Sequence, residues 1–404
     1  MGKPQEITVY GAHWCPDCRG SKQFLGEHQI PYAWVDIEQD QAAERYITKK
    51  NRGKRIIPTI EFGDGSILME PSNAELATKL GLKTKAERSH YDLIVIGGGP
   101  AGLTASLYGA REGIEILIIE RAAMGGQAAA TQWLDNVPGF ALGIAGADLA
   151  AQMSRQAQRF GVEFVQAQDV THIHSHDNYH CVNTADGSEY SAHALLIATG
   201  STYRRLNIPG ESDYIGAGVH FCATCDGPFY KGRHVVVIGG SNSAAEESLF
   251  LLRFEEHITL LVRGDELMAS QIIQDKVREN ERIDVRFNTE ATEFRGKGGK
   301  LTSIRIRNNL TGGNEEIAPA AVFVFIGLTP NTVFLRDSAV LTDEWGFIIT
   351  GHDLRHAPGK TTGFVSRDPT PLETSVAGIF AAGDVRSEST KQVVAASGEG
   401  RPWP

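Results

Sequence analysis

Apolar and polar positions follow two different patterns along this chain. Residues 6–10 (EITVY) alternate, which predicts a strand with one buried face. A helix is predicted from Pro16 to His28, with Pro16 in the first turn, where a backbone N–H would have no helical partner. Strands follow at 32–37 (YAWVDI), 56–62 (IIPTIEF) and 66–70 (SILME), the last two flanking the turn Gly63-Asp64-Gly65. With a helix after the second strand and a closing one from Ser72, residues 1–85 read as βαβαββα. From residue 91 onward, continuous apolar runs replace alternation: LIVIG, ILIIE, HVVVIGG and HITLLV. Such runs suit strands of parallel sheets covered on both faces. The charged stretch LKTKAERSH (82–90) separates the two regimes and predicts a linker.

The fold class is therefore α/β, with more than one domain in 404 residues. With 41% apolar and 22% charged residues, the composition is that of an ordinary globular protein. A net charge of −10 and no dense Lys/Arg stripe argue against a nucleic-acid partner. The longest apolar runs, such as AAVFVFIGL, are about half the roughly 20 residues a membrane helix needs. No membrane partner and a cytoplasmic location are expected, since the N-terminus MGKPQEITVY shows no secretory or lipid signal.

Four of the five cysteines form two CxxC pairs, Cys15/Cys18 and Cys222/Cys225. In a reducing compartment such pairs are either zinc ligands or dithiol/disulfide couples, and four thiolates sharing one zinc is the alternative to two redox couples. The redox reading has a local physical reason. Cys15 stands at a predicted helix N-terminus, where unpaired N–H groups and the macrodipole favour a thiolate, and Cys18 lies one turn on, placed to resolve a mixed disulfide. Ile57-Pro58 is the expected cis-proline facing these thiols, or else an ordinary turn proline. Cys181 reads as a small buried apolar residue. HIHSH (172–176) puts three histidines on one strand face, but at a spacing of about 7 Å they do not converge on one ion, so no metal is expected.

Two glycine loops carry the remaining chemistry. In residues 91–120, a strand, Gly97-x-Gly99-x-x-Gly102, a helix, a second strand and Glu120 make a complete dinucleotide-binding pattern. The glycines permit close backbone approach to a pyrophosphate, and Glu120 is spaced to meet ribose hydroxyls. The second loop reads Gly239-Gly240-Ser241-Asn242-Ser243-Ala244 and leads into a strand ending near Arg263. A CxxC between two such units suggests transfer of reducing equivalents from a nicotinamide through a flavin to a disulfide.

Residues 1–85 have a thioredoxin-like element order and resemble a glutaredoxin of the mycoredoxin or NrdH-like branch through HWCPDC and Ile57-Pro58. The stretch MEPSNAEL (69–76) stands where glutathione-binding members have a Gly-Gly turn, so glutathione is not an expected ligand. From residue 91 the chain resembles low-molecular-weight thioredoxin reductases, through GGGPAG, GGQ (125–127), DNVPG (135–139), ATG (198–200), CATCDG, GLTPN and GDV in order. The resemblance implies two Rossmann-like, three-layer ββα domains: an FAD-binding domain at 91–203 and 329–404, and an NAD(P)-binding domain at 204–328. It implies FAD contacts from Gly97, Gly99, Pro100, Ala101, Gly102, Glu120 and Arg121. Further FAD contacts are implied from Gly126, Gln127, Asn136, Ala198, Thr199 and Gly200, and from Gly383, Asp384, Lys391, Gln392 and Val393. Residues 239–244, Arg263 and Gly327 are implied to meet the nicotinamide nucleotide. Cys225 is implied as the thiol nearest the flavin, Cys222 as the interchange thiol and Asp226 as the acid beside them; Asp226 as a mere turn residue is the alternative.

The resemblance implies NADPH as electron donor. Because VRGDELMAS keeps only Arg263 of the usual basic cluster, NADH or another donor such as a ferredoxin remains open. The implied activity is electron transfer through FAD and Cys222/Cys225 to Cys15/Cys18, and on to thioredoxin-like or other disulfide-containing proteins or to low-mass disulfides. A reductase feeding a peroxiredoxin, or a flavin redox sensor or scaffold, are the alternatives. A homodimer is expected. Arg401-Pro402-Trp403-Pro404 reads as an early stop to a helix that would cover the flavin, with weakened FAD retention as the expected consequence.

Overall fold

The structure is a computed structural model. It describes the chain apart from residues 1–6, 13, 29, 132, 177, 358–363, 365–366 and 401–404, and apart from the side chains of Arg19, Gln23, Glu27, Thr224 and Cys225. The chain divides into two compact units, one of Met1–Ala130, Ala147–Gly200 and Thr332–Pro404, the other of Thr131–Gly146 and Ser201–Asn331.

The first unit begins with β1 (Ile7–Gly11), α1 (Pro16–Glu27), β2 (Ala33–Asp36), α2 (Gln41–Lys50), β3 (Thr59–Phe62), β4 (Ile67–Met69) and α3 (Asn73–Lys79). This is the βαβαββα order expected, in a sheet ordered β2-β1-β3-β4, with β1 parallel to β2 and antiparallel to β3. Alternation in β1 buries Ile7 and Val9 against Phe24 and Leu25 of α1 and Leu76 of α3. The third strand starts at Thr59, later than the apolar run suggested. Pro58, in a cis peptide after Ile57, has no N–H to give to the ladder. Ser72 and Glu75 form a capping box that fixes the start of α3.

The linker lies along the following domain as an ordered strap. The Gln166 N–H donates to the Lys83 carbonyl at 2.8 Å, and the Ala86 N–H to the Tyr190 hydroxyl at 3.1 Å. Glu163 gathers the strap, accepting from the Glu87 N–H at 2.7 Å, the Tyr91 hydroxyl at 2.5 Å and Lys83 Nζ at 2.8 Å.

The unit continues with β5 (His90–Ile96), α4 (Pro100–Arg111), β6 (Ile116–Glu120), α5 (Gly126–Ala130), α6 (Gly146–Arg159), β7 (Glu163–Gln166), β8 (Val170–His176), β9 (Tyr179–Thr184) and β10 (Glu189–Ile197). Parallel neighbours β7-β6-β5-β10 are extended antiparallel by β9 and β8. Ile94, Leu117 and Leu195 point to one face of this sheet, and Val95, Ile118 and Leu196 to the other. Both sets are buried, which is why these strands read as unbroken apolar runs.

In the second unit, β11 (Ser201–Tyr203), β12 (Val219–His220) and α7 (Ala223–Asp226) precede β13 (His234–Ile238), α8 (Asn242–Leu251), β14 (His257–Leu261), α9 (Gln271–Arg278) and β15 (Ile283–Arg286). Then come β16 (Thr289–Lys297), β17 (Lys300–Asn308), β18 (Asn314–Ile317), β19 (Ala321–Val324) and β20 (Leu328–Pro330). A parallel sheet ordered β12-β19-β13-β14-β15 forms the middle layer. Leu251 and Val277 of the helices cover one face, while Phe294 and Ile304 of the β16-β17-β18 meander cover the other. This three-layer arrangement is the α/β class expected. The first unit is completed by β21 (Ile379–Ala381), parallel to β10, and α10 (Val393–Glu399).

Among the described residues no helix is long and apolar enough to cross a membrane. The HIHSH histidines lie on β8 of a β8-β9 hairpin, where His174 and His176 are exposed and the rings of His172 and His174 stack at 5.8 Å. Among the described residues no three potential metal ligands come together. Cys181 is buried on β9, and burial pushes its thiol up from the ordinary value. The expectation attached to Arg401–Pro404 lies outside the described residues.

Candidate functional site

Cys15 is the N-cap of α1, in extended backbone conformation, and its sulfur accepts the Cys18 N–H at 3.1 Å. A negative sulfur at this position meets the positive end of a helix and a fixed donor. Its Sγ also lies 3.8 Å from the carbonyl oxygen of Ile57, which brings the residue before Pro58 to the thiol as the sequence suggested. Both thiols are free and buried. Burial, with Cys15 beside it, pushes Cys18 up to about 12. The pair is thus unequal: Cys18 stays protonated while Cys15 holds the position that favours a thiolate.

The first glycine loop is built from contacts that exclude side chains. Gly97 has φ +108°, and a Cβ there would lie 2.4 Å from the Ala198 carbonyl oxygen; one on Gly102 would lie 2.1 Å from that of Gly97. These close approaches bring the 97–102 and 198–200 stretches together, with the Ala198 N–H donating to the Ile96 carbonyl at 2.8 Å. Gly99 is different: it caps α4, and a Cβ there would meet no protein atom within 4 Å. With no side-chain cap on α4, the open space beside Gly99 and the unpaired N–H groups of the first turn fit a pyrophosphate. Gly126 approaches Gly99, its added Cβ lying 3.4 Å from Gly99 Cα, and Gln127 beside it is exposed. The Gly125 N–H ties the loops by donating to the Gly98 carbonyl at 2.7 Å.

Glu120 is buried at the end of β6. It accepts the Gly98 N–H at 2.6 Å and the Ala122 N–H at 2.8 Å, bracing the glycine loop. Burial pushes its carboxyl up, and those two N–H groups oppose the shift. Arg121 is exposed. From the far end of the chain, Gly383 would place a Cβ 3.1 Å from that of Ala101, and α10, with Gln392 as N-cap and Val393 at its start, reaches the same helix. Lys391 Nζ donates at 2.9 Å to the carbonyls of Asp384 and Arg386. Burial pushes Asp384 up and Lys391 down. Asn136 belongs to the 131–146 stretch of the second unit.

In the second unit, Gly239 has φ +153° and would place a Cβ 2.4 Å from the Phe325 carbonyl oxygen. Ser241, the N-cap of α8, has φ −89°, which any residue adopts, so the serine costs the backbone nothing. It makes no side-chain cap, leaving the first N–H groups of α8 open beside exposed Asn242 and Ser243 and buried Ala244. Arg263 and Gly327 are exposed. Cys222 is disulfide-bonded and precedes α7, whose turn is closed by the Asp226 N–H donating to the Cys222 carbonyl at 3.2 Å. The Cys225 side chain lies outside the described residues. Asp226 Oδ1 lies 3.3 Å from Nδ1 of buried His220, a partner the sequence reading missed although it sits two residues before Cys222.

The profile of the family described as pyridine nucleotide-disulphide oxidoreductase matches residues 91–400. The chain belongs to that family. The glutaredoxin profile matches residues 7–67. Thioredoxin reductase of Treponema pallidum (strain Nichols) is 40% identical over 310 residues, covering 77% of this chain and 94% of that protein. Thioredoxin reductase of Bacillus subtilis (strain 168) is 37% identical over 315 residues, covering 78% and 93%. A solved thioredoxin reductase from Streptococcus pyogenes MGAS5005 is similar with a TM-score of 0.69 and 36% identity over 77% of this chain and 95% of that one. The chain is thus a thioredoxin reductase-like oxidoreductase with a glutaredoxin-like domain in front. Family membership implies FAD and a nicotinamide nucleotide, and the glycine loop at Gly99 fits the diphosphate of such a group.

Proposed function

We propose that this protein reduces protein disulfides with electrons from NADPH, delivered by Cys222/Cys225 to Cys15/Cys18 and from there to an external disulfide. The observation that carries the reading is the helix-capping Cys15 thiol, paired with a protonated Cys18, on the same chain as a disulphide oxidoreductase. Bound FAD would supply the exchange between two-electron hydride chemistry and disulfide chemistry. Residues 97–102, 126–127 and 383–393 would hold it. The protein's own part is to hold Cys15 as attacking sulfur, to keep Cys18 protonated until it resolves the mixed disulfide, and to move protons at Asp226 as thiols form. NADPH is favoured over NADH because Arg263 is exposed beyond β14 and no carboxylate replaces it.

The test mixes purified flavin-loaded protein with NADPH or NADH without oxygen and follows bleaching, then insulin reduction in Cys15→Ser and Cys222→Ser variants. Bleaching by NADPH, with both variants inactive on insulin, is the expected result. Bleaching by dithionite but by neither nicotinamide would overturn the donor. An active Cys15→Ser variant would remove the N-terminal pair from the path.

A further inference from the structure

Asp226 does not stand alone beside the second cysteine pair. Its Oδ1 lies 3.3 Å from Nδ1 of His220, and Nε2 of the same ring lies 2.7 Å from the Tyr230 hydroxyl. The three residues come from β12, α7 and the turn that follows α7, and the sheet fixes their spacing. His220 pairs with Phe323 across β12 and β19 and packs on its ring at 5.4 Å, while Tyr230 meets the same ring edge-on at 6.1 Å. His220 is 6% exposed, so bulk water does not supply its hydrogen bonds.

We propose that His220 and Tyr230 are positioning residues that set the protonation of Asp226 during thiol–disulfide exchange at Cys222/Cys225. The proposal rests on the reading of Asp226 as the acid of that pair. In the neutral ring the half-buried phenol donates to Nε2, which leaves the proton on Nδ1, directed at the carboxylate. Burial pushes the Tyr230 phenol up, with Asp226 adding to the shift, so it remains a donor across the working range. The charged groups acting on the Tyr230 phenol are Asp226, Arg233 and Glu255. A carboxylate that accepts Nδ1–H is stabilised in its ionised form.

The chemistry balances through the other oxygen of Asp226. As one cysteine sulfur of the reduced pair attacks a substrate disulfide, its S–H proton passes to the Asp226 carboxylate. The new sulfur–sulfur bond forms, the substrate bond breaks, and its electron pair leaves on the departing sulfur. Asp226 then returns the proton to that sulfur. His220 keeps its Nδ1 proton throughout and holds the carboxylate ready as a base.

The experiment uses full-length protein with Cys15 and Cys18 both changed to Ser, so that only the second pair reacts. The pair is reduced with dithiothreitol, desalted without oxygen, and oxidised in a single turnover by dithiodipyridine across a pH series. His220→Ala should move the acid limb of the rate profile up by about one pH unit, a tenfold loss on that limb. His220→Asn, whose amide N–H can occupy the Nδ1 position, should restore most of it, and Tyr230→Phe should give a smaller shift. Melting temperature and flavin content separate a folding defect from this effect. A profile for His220→Ala that overlays the parent, while Asp226→Asn removes the acid limb, overturns the proposal and leaves the acid assignment standing. If Asp226→Asn also overlays the parent, the acid assignment falls with it.

Discussion

The two cysteine pairs of this chain are governed by different physics. At the first pair, control comes from the main chain: the Cys18 N–H, the end of an α-helix of 12 residues and the carbonyl of Ile57 surround Cys15. At the second, α7 spans only Ala223–Asp226, and the neighbouring control is a side-chain array of Asp226, His220 and Tyr230. A pair run by backbone geometry needs only its fold to be reactive. A pair run by side chains can have its proton inventory tuned without moving the backbone, which suits a centre that must both receive electrons and pass them on.

The largest test of this difference is removal of each pair in turn. Cys222→Ser should abolish reduction of every disulfide substrate, a loss of about a thousandfold or more if transfer has no other route. Cys15→Ser should abolish turnover of insulin while leaving dithiodipyridine reduction at the second pair. Stopped-flow absorbance on both substrates checks this, and equal losses on both would erase the distinction between the pairs.

A second test concerns a carboxyl buried in the second unit, between α8 and β14. Glu255 is 1% exposed, and no side chain donates a hydrogen bond to its carboxyl, which only the Arg233 main chain and its charge help to stabilise. Burial pushes it from 4.5 up to about 7, with Arg233 only partly offsetting. Since the folded value lies above the unfolded one, its contribution is intact below pH 4.5 and is lost as pH rises through about 7. Glu255→Gln should therefore stabilise the second unit by up to about 3 kcal/mol at pH 8 and change little at pH 4. Denaturant melts at the two pH values decide it; a stabilisation that ignores pH would point to packing instead.

These two regions also differ in how far the sequence revealed them. The helix start at Pro16, the strands around it, Ile57-Pro58 and both glycine loops were legible because each is set by neighbours within a few positions: a proline in a first turn, an apolar period, glycines at a strand end. The contact of His220 with Asp226 and Tyr230, the burial of Glu255 and the docking of residues 82–90 were not. Each depends on which strands become neighbours, and local periodicity does not encode that.

A smaller perturbation separates the pairs by packing. Gly11 ends β1, and a Cβ there would lie 2.6 Å from Cys18 Sγ and 2.8 Å from the Trp34 ring. Gly11→Ala should cost the N-terminal domain about 2 kcal/mol, because a full core has no room for an added carbon. It should also expose Cys18 to alkylation while the second unit melts unchanged. Mass spectrometry after iodoacetamide treatment reports the thiol, and an unaltered Cys18 would show that the neighbouring ring yields instead.

The smallest effect is expected at the strap, and it bears on how the first pair is presented. Burial alone would raise the Glu163 carboxyl, but Lys83, the Tyr91 hydroxyl and the Glu87 N–H together hold it below the usual carboxylate range. A group held ionised by three donors is a clasp, and a neutral amide in its place keeps the shape while surrendering an acceptor and the charge. Glu163→Gln should loosen residues 83–91 by about 1 kcal/mol without unfolding either neighbour. Trypsin should then cut at Lys83, Lys85 or Arg88 several-fold faster, because cleavage of a strap follows the fraction of time it is undocked. Insulin turnover through Cys15 should fall only slightly, as a freed tether of this length still keeps the thiols nearby at about millimolar effective concentration. Faster proteolysis with unchanged turnover would mean that the strap fixes the resting position of the first pair but not its encounter with a substrate.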